Sequence, residues 1–179
     1  MAVLKVAHLG HPVLRQIAEP VSPEAIGAPE IQRLIDDMFE TMEDHDGVGL
    51  AAPQVHVSRR IVVYGLRENP RYPEAAPIPL TVLVNPRITP LGTEQEEGWE
   101  GCLSVPDMRG MVPRFQRVQV DAYGRDGRPF RYDVDGFHAR VVQHECDHLD
   151  GKVYIDRMCS TETLTFLPEF QRYWLEREE

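Results

Sequence analysis

No apolar run in this chain approaches the eighteen or so residues a bilayer-spanning helix needs, so the sequence predicts no membrane partner. The opening Met-Ala-Val-Leu-Lys-Val-Ala-His has neither the basic flank nor the long apolar stretch of a secretory signal. Cysteine is scarce. Cys102, Cys146 and Cys159 are an odd set without framework spacing, which points to reduced thiols in a cytoplasm rather than to disulfides. Positive charge is also short: 19 Lys and Arg against 29 Asp and Glu leave a net charge of −10, which argues against a nucleic-acid-binding surface. The acidic end Leu175-Glu176-Arg177-Glu178-Glu179 argues against RNA docking through the tail. A local basic patch remains open, because Arg109, Arg114 and Arg117 lie close in sequence. Internal repeats and low-complexity segments are absent.

What is present suits an ordinary globular chain. Its 179 residues, 42% hydrophobic and 27% charged, suit one compact domain over residues 1–179 with a real core, or at most two small ones. Ile31, Leu34, Ile35, Met38, Phe39 and Met42 follow three-four spacing, predicting a helix over 29–45 with Pro29 in its first turn and Asp46-Gly47 as its stop. The pattern then turns to strands at 61–64, 81–84 and 118–123, with 130–134 returning as a hairpin partner. Pro70, Pro73, Pro77 and Pro79 predict a loop between the first two strands. A second helix is expected over 137–149, ending at Gly151. Residues 164–174 read as a strand then a helix, since Pro168 breaks any single helix. The predicted class is α+β, with mixed, mostly antiparallel strands around the second helix.

That second helix carries His144-Glu145-Cys146-Asp147-His148. Two histidines four apart share a helix face and can grip one ion, and Glu145 projects beside them as a base for a water. A catalytic site of this kind needs a third protein ligand. The pattern HExxHxxGxxH fails, because position 154 is Tyr. Glu169 lies near the distance at which another class places a glutamate, and spacing leaves it open. The strongest candidate is Cys102 in Glu100-Gly101-Cys102-Leu103-Ser104, since a thiolate binds zinc or ferrous iron tightly. The glycine-rich run 47–54 ends in Gln54, whose uncharged amide can hold an oxyanion.

In GVGLAAPQ, EGCLS and QHECDHLDG, in that order, the chain resembles the peptide deformylases. The likeness extends through Asn85-Pro86 and Arg109. It implies a bacterial cytoplasmic enzyme in which Cys102, His144 and His148 hold one divalent metal ion, commonly Fe²⁺, with Zn²⁺ or Ni²⁺ able to substitute. It further implies that Glu145 moves a proton from water to the leaving amine of an N-formyl-methionyl peptide, releasing formate from a nascent chain. Gln54 and the Leu103 backbone N–H would hold the oxyanion. Backbone near Gly49 and Gly101 is expected to pair with the peptide as an added strand, with Val48, Phe137 and Val141 around the methionine side chain. Arg140 is unexpected on such a wall. Asp147 is read as an anchor or an orienting group, and Cys146 as packing.

Overall fold

A computed structural model of the chain describes residues 2–67 and 76–175. After short 3₁₀ turns at Pro12–Arg15 and Pro23–Ala25 come α1 (Pro29–Asp44), β1 (Gly49–Ala51), β2 (Ile61–Leu66) and β3 (Ile78–Pro90). Next are β4 (Gln95–Cys102), β5 (Val105–Phe115), β6 (Arg117–Tyr123), β7 (Pro129–Asp135) and α2 (Gly136–Leu149). The last elements are β8 (Thr165–Phe166) and α3 (Leu167–Tyr173). The fold is α+β, as expected. No helix among the described residues is long and apolar enough to cross a membrane.

Two antiparallel sheets flank α2. One runs β1-β2-β3-β6-β7 and the other β4-β5-β8. Side chains alternate across a strand, so β2 serves two cores at once. Val62, Tyr64 and Leu66 join the α2 core with Ala139, Val142, Cys146 and Leu149. Ile61 and Val63 join the α1 core with Ile35, Met38 and Met42. Each fully buried aliphatic side chain contributes about 1.5–3 kcal/mol, which fixes α2 against the sheet before any polar contact is considered. The helix stops where the sequence predicts: Gly151 takes φ +69°, and a Cβ there would meet the Arg15 carbonyl oxygen at 2.8 Å.

Three parts of the sequence reading need correction. Pro79 lies in β3 rather than in a loop; the pairing of β2 with β3 shifts register between Tyr64 and Leu66, and that bulge absorbs a residue unable to donate to the ladder. The strands β1, β4 and β5 were not anticipated. β4 is rich in glutamate and glycine, poor strand formers, and is held in place by its pairing with β5 from Gln95↔Phe115 to Cys102↔Val105. The basic patch also fails, because Arg114 is 5% exposed and bonded to acids. Most of the proline-rich loop (68–75) and the acidic end (176–179) lie outside the described residues.

Candidate metal centre and substrate cleft

Helix periodicity brings His144 and His148 out of α2 on one face, with ring centroids 5.2 Å apart. The end of β4 delivers the thiol to them: Cys102 Sγ lies 3.3 Å from His148 Nε2. One donor atom from each of these three residues lies within 4.8 Å of the others, the only such cluster among the described residues. Glu169 is exposed on α3 and stands outside this cluster, which removes it as the third ligand.

β4 supplies a partner the sequence reading missed. Glu100 lies two residues before Cys102, across a register irregularity, and both side chains reach the histidines of α2. Glu100 Oε2 lies 2.8 Å from His144 Nδ1, so Nδ1 donates to the carboxylate; burial disfavours the charged imidazole, but the contacts with Cys102 and Glu100 outweigh it and raise its pKa well above the ordinary value. Arg114 donates to both Glu100 oxygens at 2.8 and 3.0 Å and to Asp147 Oδ2 at 2.6 Å. Arg157 closes on Asp147 from the other side. Asp147 therefore anchors α2, and among the described residues its carboxylate is bonded to Arg114 and Arg157 rather than to His144 or His148. Burial alone would raise the Glu100 carboxyl, but the hydrogen bonds from Arg114 and His144 outweigh it and hold it far below the carboxylate range. The same contest at Cys102 is won by the imidazoles of His148 and His144, which keep the buried thiol well below its ordinary range.

Glu145 is nearly enclosed, and its Oε2 finds no hydrogen-bond partner among the described residues. Burial pushes its carboxyl up to about 7. Gln54 is oriented by its own neighbour. The Ala51 N–H donates to Oε1 at 2.8 Å, so the amide NH₂ faces Cys102 Sγ at 3.4 Å and Ser104 Oγ at 3.2 Å. Leu103 follows Cys102 in the two-residue turn between β4 and β5.

A cleft of about 320 Å³ opens over Cys102, His144 and Glu145. Val48, Gly49, Gly101, Phe137 and Val141 all line it. Gly49 belongs to β1 and Gly101 to β4, each at the edge of its sheet among the described residues. The cleft thus runs between two strand edges whose outer sides carry no ladder there.

Residues 3–163 match the sequence profile of the polypeptide deformylases. The chain belongs to this family. It is 52% identical to peptide deformylase 2 of Pseudomonas putida, over 84% of each chain. It is 51% identical to peptide deformylase 1 of Bordetella pertussis, over 88% of this chain and 86% of that one. Among solved structures, the class I type b peptide deformylase of Acinetobacter baumannii with Met-Ala-Ser bound superimposes with a TM-score of 0.85 at 43% identity, covering 88% of this chain and 99% of that one. The peptide deformylase of Thermotoga maritima gives a TM-score of 0.78 at 35% identity, over 89% of this chain and all of that one. Like other deformylases, this one is a metal-dependent enzyme that removes the formyl group from nascent peptides.

Arg140 also lines the cleft. Its guanidinium donates to Gly98 O, Val112 O, Glu96 O and Glu100 Oε1, so it staples α2 to the β4–β5 hairpin. His8 and His45 also line the deformylase cleft, although neither has ligand spacing.

Proposed function

We propose that Cys102, His144 and His148 hold one divalent ion, Fe²⁺ with Zn²⁺ or Ni²⁺ as substitutes, and that Glu145, Gln54 and Leu103 carry the hydrolysis of N-formyl-methionyl peptides. The donor set suits such an ion. It combines a thiol held low, an imidazole whose Nδ1 is committed to Glu100, and a second imidazole whose Nδ1 is buried without a partner among the described residues. When bound, the ion supplies Lewis acidity, drawing electron density from the formyl carbonyl and making a nearby water easier to deprotonate.

The remaining steps belong to side chains. Glu145 accepts the proton of the attacking water at its unpartnered Oε2 and returns it to the departing amine. A carboxyl pushed up to about 7 is suited to both directions of that transfer near neutrality. The Gln54 amide, locked by Ala51, donates to the developing oxyanion together with the Leu103 N–H. Val48, Phe137 and Val141 surround the methionine side chain, and Gly49 and Gly101 present backbone to an extended peptide. This reading treats residues 1–179 as one catalytic domain of a bacterial cytoplasmic enzyme.

The observation that carries this reading is one cluster of three donor atoms beside a buried, unpartnered carboxylate oxygen. Formate release from formyl-Met-Ala-Ser by the iron-loaded protein, absent in Glu145→Ala, is the expected result. No release by the iron-loaded parent would overturn it.

A further inference from the structure

Gln54 and Leu103 arrive at the cleft on different supports. Gln54 sits in a 3₁₀ turn, Ala52–Val55, and Leu103 in the two-residue turn that joins β4 to β5. One side chain connects them. Ser104, the other residue of the β4–β5 turn, accepts a hydrogen bond at Oγ from Gln54 Nε2 at 3.2 Å. Ser104 is fully buried and, unlike Gln54 and Leu103, does not line the cleft. Its hydroxyl has no direct access to a substrate.

An amide NH₂ carries two protons in fixed directions. The bond from the Ala51 N–H to Gln54 Oε1 decides which end of the carboxamide is oxygen, but one contact leaves the group free to swing. Ser104 removes that freedom by taking one proton of the NH₂. The other is left on the side of Cys102 Sγ, 3.4 Å from Nε2, facing the cleft. The backbone is braced at the same place. Ala7 N–H donates to the Gln54 carbonyl and Leu9 N–H to the Ser104 carbonyl, each at 2.7 Å. A single N-terminal segment thus holds both partners, so the serine is a fixed post rather than a group that follows the amide.

We propose that Ser104 is a positioning residue for deformylation: its Oγ fixes the plane of the Gln54 amide and, through the turn it shares with Leu103, the spacing of the two oxyanion donors. This rests on the oxyanion reading of Gln54 and deepens it. Donors held in advance where charge develops need no rearrangement during the reaction, so the effect falls on kcat.

The test is a double-mutant cycle on formate release from formyl-Met-Ala-Ser by the iron-loaded full-length protein. Gln54→Ala should lower kcat by about a hundredfold or more, the usual result of deleting one oxyanion donor. Ser104→Ala keeps that donor but frees its plane, and should lower kcat about tenfold with KM and bound metal unchanged. In the Gln54→Ala background, Ser104→Ala should cause no further loss, because a residue acting through the amide then has nothing to act on. A second readout needs no turnover. In the zinc-loaded protein, the Gln54 side-chain NH₂ signals are identified by their loss in Gln54→Ala. They should exchange with solvent about tenfold faster in Ser104→Ala. Parental kcat in Ser104→Ala, an equal loss in both backgrounds, a loss matched by missing metal, or unchanged NH₂ exchange would overturn the proposal. Parental kcat in Gln54→Ala would instead overturn the oxyanion reading, and the exchange rates would still decide whether Ser104 holds the amide.

Discussion

Glu145 lies directly over Gly49: a Cβ added to the glycine would sit 2.4 Å from Oε1 of the carboxylate and 2.6 Å from its carbon. The two residues come from a sheet edge and from the central helix, and neither spacing nor composition links them. The missing side chain on β1 is what lets the proposed base reach the cleft.

Gly49→Ala should therefore displace Glu145 while leaving the proposed metal ligands in place. The expected loss in kcat is about a hundredfold, the size associated with ångström-scale misplacement of a catalytic group. Formate release measured beside bound metal by atomic emission checks it. Wild-type rates in the alanine variant would show that the carboxylate acts from elsewhere.

Glu145 also predicts a pH signature. A base must be ionised, so kcat/KM should fall on the acid side. Its midpoint should lie between the ordinary glutamate value of 4.5 and the raised value of about 7, because a bound cation favours the ionised form. In the metal-free protein the sign for stability is opposite to that of a paired carboxylate. Between pH 4.5 and 7 the folded chain binds this proton more than the unfolded chain does, so stability drops as pH rises. The drop is about 3 kcal/mol and should be missing in Glu145→Gln. Melting curves of both proteins across that window measure the difference.

The Glu100–His144 contact predicts a graded series in metal affinity. Cys102→Ser removes a proposed ligand and should abolish tight binding. Glu100→Gln keeps the shape but weakens the hold on Nδ1, and should cost about 10- to 100-fold in affinity. Competition with a chromogenic chelator reads both. Equal affinity in Glu100→Gln and the parent would show that His144 needs no partner.

Arg114 bridges two buried carboxylates, Glu100 and Asp147. Arg114→Met should leave both without their shared counter-charge and destabilise the protein by about 3–5 kcal/mol. Urea denaturation of the metal-free chain measures this apart from metal binding. A midpoint within error of the parent would show that Arg157 and Arg140 suffice for the two acids.

Much of this protein was legible from residue order alone. Periodicity set α1 and α2, because a three-four apolar stripe and a four-residue histidine spacing are properties of one helix and need no partner. The turn at 125–128 and its two strands were readable for the same local reason. The three motif blocks marked Cys102, Gln54 and Glu145 before any coordinates. Long-range pairing decided the rest. β4, with its glutamates and glycines, is a strand only because β5 lies beside it, and Pro79 joins β3 only because a bulge admits it. Glu100 escaped notice because β4 was not recognised as a strand and its register is irregular between Glu100 and Cys102. Arg114 lay in a suspected surface patch and turned out to be buried, since a cation's burial depends on which acids the fold brings to it. Sequence alone could name the proposed reacting groups, because their chemistry resides in residue type and near spacing. Which carboxylate grips which histidine, which glycine makes room for which glutamate, and which serine meets which amide are relations between distant segments, and only tertiary packing settles those.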